Sequence, residues 1–144
     1  MNVCLITTSQ PSANPRLVKE ADALTEIGAN VHVIGAQWAD WADAHDVTML
    51  AGRRWSCEIL EWRRHARPEL FWRSRARHAG ARLLTRVPGA PAAIVEAALS
   101  RIGPDLHGAA ARQDADLFIA HNLGALPVAI EAAARRHARR GCAR

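Results

Sequence analysis

The sequence predicts an α/β domain: Rossmann-like, three-layered, built on a mainly parallel sheet. Three observations carry this. Val3–Thr7 is a continuous apolar run, the pattern of a strand covered on both faces. A polar loop and an amphipathic helix follow it and lead to a second apolar run, Val31–Ile34, so the first third of the chain reads as a βαβ unit with a right-handed crossover. The order strand, polar loop, helix then recurs at Asp116–Arg139. With 144 residues the chain has room for one domain, 1–144, around one core.

The elements follow in order. Asn14 can cap the first helix, and Pro15 can open it because the first helical position has no hydrogen bond to lose. Leu17, Val18, Ala21 and Leu24 form its apolar face, and Gly28 suits the left-handed turn that ends it. Gly35–Asp46 reads as a loop rich in Trp and Asp, and Val47–Leu50 as a short strand. Cys57–Leu60 is a further strand. Helices are predicted over Glu69–Leu84, with Leu70, Phe71, Leu83 and Leu84 apolar, and over Ala90–Leu99 and Pro104–Arg112. The last helix, Pro127–Arg139, is expected to bury Leu126, Ile130 and Ala133, and Arg139–Arg144 to fray. The predicted strand order is 3-2-1-4.

Composition narrows the function classes. A hydrophobic fraction of 49% is too high for a disordered chain. All but Lys19 of the 19 basic residues are arginine, many beside alanine, a bias that can be proteome-wide and is weak evidence for nucleic acid. No helix-turn-helix or zinc-finger spacing supports nucleic-acid binding, which is not expected. Cys4, Cys57 and Cys142 are too far apart for a zinc site or a disulfide framework, and a reducing compartment fits them. The N-terminus has no signal-peptide pattern, and no apolar run is long enough to span a bilayer. The expected location is the cytoplasm, with peripheral contact at the inner face of the membrane left open.

Candidate site residues lie where strands end, because open α/β sheets bind ligands at their carboxyl edge. His121 follows the last predicted strand and can hydrogen-bond a ligand hydroxyl or exchange a proton; it can equally bond neighbouring backbone. Asn122 can meet a ligand or cap a turn, and Gly124 would let backbone approach closely. Ser9, Ser12 and Asn14 line the first loop, and Arg16 in the first helical turn can reach an acidic acceptor or stay in solvent. That loop lacks both the dinucleotide glycines and a GK[ST] phosphate loop, so no NAD or ATP cofactor is expected. Asp40, Asp43, His45 and Asp46 have the composition of a metal cluster without its spacing, and no metal is expected. Trp38 and Trp41 can stack on an acceptor, touch lipid or pack over the sheet edge. The band from Arg53 to Arg86 holds ten arginines, interleaved with Trp55, Trp62, Phe71 and Trp72. It reads as a solvated face with aromatics inward, or as a basic surface for anionic lipid.

The segments ITTSQPSANPRLVKEADAL (6–24), VHVIG (31–35), WADAHD (41–46) and DLFIAHNLGALPVA (116–129) resemble the N-terminal domain of retaining GT-B glycosyltransferases of the group 1, or family 4, type. The likeness is sharp at 6–24 and 116–129 and adds little over 53–112. It implies that the fold is the N-terminal half of a GT-B fold, and that the domain holds the acceptor while a second domain holds the nucleotide-sugar. It implies that His121 is the cleft histidine that contacts the donor sugar and helps stabilise the transition state, with no protein nucleophile. It further implies that Ser9, Ser12, Asn14, Arg16, Asn122 and Gly124 bind substrate.

The donor-binding domain has no counterpart here, so the chain reads as a truncated piece, inactive alone. Its expected partners are a nucleotide-sugar and a hydroxyl acceptor in the complete enzyme, with a donor-binding domain or partner chain. Two alternatives stand beside this reading. One is a non-catalytic Rossmann-like domain that pairs with a separate chain; the other is a membrane-surface adaptor built on residues 53–86. An uncovered sheet edge would also favour self-association.

Overall fold

A computed structural model describes residues 1–141. Four strands, β1 (Asn2–Ile6), β2 (Asn30–Gln37), β3 (Ser56–Glu61) and β4 (Leu117–Ala120), form one all-parallel sheet in the order β3-β2-β1-β4. This is the predicted order. The six α-helices are α1 (Pro15–Glu26), α2 (Asp40–Leu50), α3 (Pro68–Leu84), α4 (Ala92–Leu99), α5 (Gly103–Ala111) and α6 (Leu126–Gly141). One-turn 3-10 helices precede α1 at Pro11–Ala13 and α6 at Leu123–Ala125.

Side chains alternate across the strands and divide the core into two layers. Val3, Leu5, Val31 and Val33 face Leu17, Val18 and Ala21 of α1, with Met49 and Leu50 of α2 at the margin. Cys4, Ile6, Ile34 and Ala36 face Leu106 and Ala109 of α5 and Val128 and Ala132 of α6. Helices cover both faces, so the central strands β1 and β2 are largely apolar on both, which is why they read as apolar runs. Each fully buried Leu or Ile, such as Leu5, Ile6, Leu17 and Leu106, contributes about 1.5–3 kcal/mol by leaving water. Helices α3 and α4 pack on one another, with Leu70 of α3 against the second layer, and the His78 ring bonds the Ala97 carbonyl at 3.0 Å.

Local signals explain the first βαβ unit. Asn14 Oδ1 accepts from the Leu17 N–H at 3.3 Å, and Pro15 occupies the first turn of α1. Gly28 has φ +86°, the left-handed conformation that ends the helix with little steric cost.

Several expectations are corrected. Gly35–Asp46 is no loop: β2 continues to Gln37 and α2 starts at Asp40. Val47–Leu50 is the last turn of α2, not a strand. The buried face of α2 carries Asp46, a carboxylate where a stripe search looks for an apolar residue. In α6 the buried residues are Val128, Ala129 and Ala132, while Leu126, Ile130 and Ala133 are exposed. The small residues let the helix approach the sheet closely and turn its larger ones outward. Leu83 and Leu84 of α3 are exposed as well. Arg139 and Arg140 are helical, and the rest of the tail expected to fray, from Cys142, lies outside the described residues. Among the described residues no helix is long and apolar enough to cross a membrane.

Candidate functional site at the carboxyl edge

The loops after β1 and β4 meet at one hydroxyl. Thr7 is fully buried, and its Oγ1 accepts from Asn122 Nδ2 at 3.1 Å and from the Ser9 N–H at 3.3 Å. It also lies 3.0 Å from Ser9 Oγ and 3.4 Å from Asn14 Nδ2. A hydroxyl has two lone pairs, so the longest of these contacts, from Asn14, is the weakest. Both asparagines are caps. Asn14 Oδ1 caps α1, and Asn122 Oδ1 accepts from the Ala125 N–H at 3.0 Å. One threonine therefore ties together two helical N-termini that open onto the same edge.

Glycines close the assembly. A Cβ on Gly35 would lie 2.9 Å from the Ser9 carbonyl, which itself accepts from the Ala36 N–H. A Cβ on Gly124 would lie 3.0 Å from Thr8 Cγ2 and 3.1 Å from Ser100 Cβ. Gly124 thus serves tight packing of the second loop on the first.

His121 donates its backbone N–H to the Ile6 carbonyl, which fixes it beside β1. Its side chain is only 4% exposed, with Nε2 2.9 Å from Glu20 Oε2 on α1. The carboxylate lies off the direction of a hydrogen bond, so the contact is an ion-pair approach to a nearly covered ring. Arg16 is exposed. The Ser12 backbone N–H bonds Asp46 Oδ1 at 2.8 Å, while Ser12 Oγ is buried without a partner. Ser12, Ala44, His45, Thr48 and Met49 line a groove of about 520 Å³ outside this edge.

The β2 and β3 side is charged. Gln10, 2% exposed, donates Nε2 to Asp46 at 3.0 Å and to Asp43 at 3.2 Å, and its Oε1 accepts from the Trp38 and Ala39 N–H groups. Gln37 donates to Asp43 at 2.7 Å. Arg63 bridges Asp40, Asp43 and Glu61. The hydrogen bond from Arg63 holds the Glu61 carboxyl down at about 2. These partners take up the aspartates that resembled a metal cluster, while the His45 ring bonds the Trp41 carbonyl. Among the described residues no group of three His, Cys, Asp or Glu is placed to hold a metal.

The band 53–86 is divided between β3, its flanks and α3. Trp55 and Trp62 are buried, and Trp55 bonds Asp22 at 2.8 Å; Trp72 is half exposed beneath the Arg64 guanidinium. Trp38 packs on Trp62 with ring centroids 5.3 Å apart, whereas Trp41 is exposed. Burial pushes the Cys4 and Cys57 thiols up to about 12, so neither is a ready nucleophile.

The edge thus unites Ser9, Asn14, His121, Asn122 and Gly124 and leaves Arg16 and the Ser12 hydroxyl to one side. Thr7, Gln10, Glu20 and Arg63 escaped the sequence reading. Each matters only through partners distant in sequence, and no local pattern marks them.

Fold and edge together define a Rossmann-like α/β domain with a polar, tightly braced carboxyl edge. No family model, curated protein or solved structure matches the chain.

Proposed function

We propose that this chain is the acceptor-side domain of a glycosyltransferase that moves a sugar from a nucleotide-sugar to a hydroxyl acceptor. One observation carries the reading: the loops that resemble the glycosyltransferase pattern, 7–14 and 121–125, are joined through Thr7 at the carboxyl edge of the sheet. His121 follows β4 at that edge, and each asparagine amide has a second N–H beside the one it gives to Thr7. Sugar transfer needs donors placed around the departing diphosphate and a site closed to water. This edge offers one wall of such a site, so the chain alone is expected to transfer no sugar at a useful rate.

Titration of the isolated chain with UDP-, GDP- and ADP-sugars and with hydroxyl acceptors, read by calorimetry and amide resonances, tests this. The expected result is weak or no donor binding, and acceptor-induced shifts that include 7–16 and 121–125. Tight donor binding that disappears in His121→Ala would instead make the chain a donor-binding protein.

A second reading rests on a different observation. β4 is an edge strand, and Leu117, Leu123, Leu126 and Ile130 are exposed on it and on the segment after it. It makes the chain a binding domain that pairs with another chain there. A monomer by light scattering at every concentration, with no partner retained on β4-side cross-linking, would remove it.

A further inference from the structure

Arg101 lies between α4 and α5 in a cage of aromatic rings. Its guanidinium carbon is 4.6 Å from the ring centre of Phe71 and 5.5 Å from those of Trp38 and Trp62. Nη2 donates to the Phe71 carbonyl at 3.1 Å and to Ser74 Oγ at 3.3 Å. Nε is buried with no acceptor, and among the described residues no carboxylate lies within ion-pairing distance. Trp62, 1% exposed, has its indole N–H buried without an acceptor. Arg77 donates to the Arg101 carbonyl, and its own Nε is buried without an acceptor too.

Buried donors ordinarily have acceptors, and a desolvated cation ordinarily has an anion beside it. Here buried N–H donors of Trp62, Arg77 and Arg101 lie around a half-buried cation with no acidic side chain paired to it. Burial, and secondarily the charge of Arg75, holds the Arg101 guanidinium below its ordinary range. An anion placed beside it would relieve both effects.

The place is also significant. Trp38 follows β2 and Trp62 follows β3, so the cage stands at the carboxyl edge. The Trp38 indole donates to the Thr8 carbonyl, and Ser100, next to Arg101, packs where a Gly124 Cβ would lie. The rings take the faces of this guanidinium and Nη2 is engaged, which leaves its Nε and Nη1 N–H groups for the oxygens of an anion. Separate N–H donors need separate oxygens, which phosphate supplies.

We propose that Arg101 and the Trp62 indole N–H form an anion-recognition point of the candidate site, and that the acceptor bound there carries a phosphate ester. That the ligand is an acceptor rests on the glycosyltransferase reading; the anion point itself does not.

The test is a titration of the full chain, ¹⁵N-labelled, with inorganic phosphate, with glycerol 3-phosphate, and with phosphatidylcholine vesicles with or without phosphatidic acid. The readout is the indole N–H resonance of Trp62, assigned by Trp62→Phe. Phosphate or its soluble ester should shift that resonance. Arg101→Met should weaken the response by at least about tenfold, the order one charge-assisted hydrogen bond commands. Response to soluble phosphates places the anion on a soluble acceptor; response to phosphatidic acid vesicles alone places it on a lipid headgroup; either supports the proposal. No shift with any probe, or an undiminished shift in a folded Arg101→Met chain, overturns it. If Arg101→Met does not fold, Trp62→Phe keeps an aromatic ring, though a smaller one, and removes the N–H, and glycerol 3-phosphate affinity by calorimetry must then fall. Neutral hydroxyl acceptors that shift 7–16 and 121–125 without any phosphate effect would defeat this inference and leave the glycosyltransferase reading standing. Phosphate binding with no shift at 7–16 and 121–125 from any hydroxyl acceptor would do the reverse.

Discussion

The two sides of the carboxyl edge are braced by different chemistry. Beside β1 and β4, neutral amides and hydroxyls converge on Thr7, and two asparagines hold helical N-termini with one end and the threonine with the other. Beside β2 and β3, charges do the same work: Asp46 and Asp43 hold Gln10 and Gln37, and Arg63 gathers Asp40, Asp43 and Glu61. Gln10 joins the halves, because it sits on the first loop and bonds α2. The contrast teaches that the same task, fixing a loop over a sheet edge, can be made insensitive to pH or dependent on it. Neutral hydrogen bonds keep their strength as carboxylates titrate; ion-paired carboxylates do not.

The largest effect is expected at the join. Asp46→Ala removes the acceptor of the Ser12 N–H and one of the two acceptors of the Gln10 amide in a buried place, and should cost about 2–4 kcal/mol in urea unfolding. A loss below about 0.5 kcal/mol, the range of an ordinary surface change, would show that the charged side does not hold the loop.

Next comes the neutral side. Thr7→Val keeps shape and removes the hydroxyl, and should cost about 1–2 kcal/mol. Asn14→Ala should cost about 1 kcal/mol through the lost cap. The two share a hydrogen bond, so the double variant should fall short of their sum, and full additivity would separate the cap from the threonine.

A smaller effect sharpens the pH contrast. The folded Glu61 carboxyl is lowered from 4.5 to about 2, first by its hydrogen bond to Arg63. The ionised form is thus favoured in the native state, so its stabilisation is full above 4.5 and is lost as pH falls toward about 2. Glu61→Gln should flatten that acid limb in urea titrations at successive pH values, while Thr7→Val should leave its slope unchanged. Asp116 is lowered too, first by the Asn2 backbone N–H and then by Arg140, so some slope remains in the Glu61 variant.

The smallest change in stability is expected at Ile130→Ser, within about 0.5 kcal/mol, since that side chain is 61% exposed. Its readout is association: light scattering should show concentration-dependent mass for the parent chain and less for the variant. Equal masses for both at all concentrations would leave the β4 edge out of any contact.

The two central strands were legible in the sequence because they are covered on both faces and so nearly all apolar, as in Val3–Ile6 and Val31–Ile34. The cap at Asn14 and the turn at Gly28 were legible because backbone geometry within a few residues dictates them. Helix α2 was not, because its inward face holds a carboxylate whose partners, Gln10 and Ser12, belong to another segment. The packing of α6 was misjudged because alanines, not its largest apolar residues, meet the sheet. Of the site, the two loops were visible as polar residues after apolar runs, but not the threonine that joins them.

By itself the sequence determined the α/β class, the parallel sheet and its order, since period, burial and capping act over short stretches of chain. Only the tertiary structure decided that Thr7 is shared by Asn14 and Asn122, that His121 is covered beside Glu20, and that Arg101 stands among three rings without a carboxylate. The physical reason is distance along the chain. A hydrogen bond or a charge pair depends on a few ångströms of space, and residues more than a hundred positions apart, such as Thr7 and Asn122, leave no local pattern that announces their meeting.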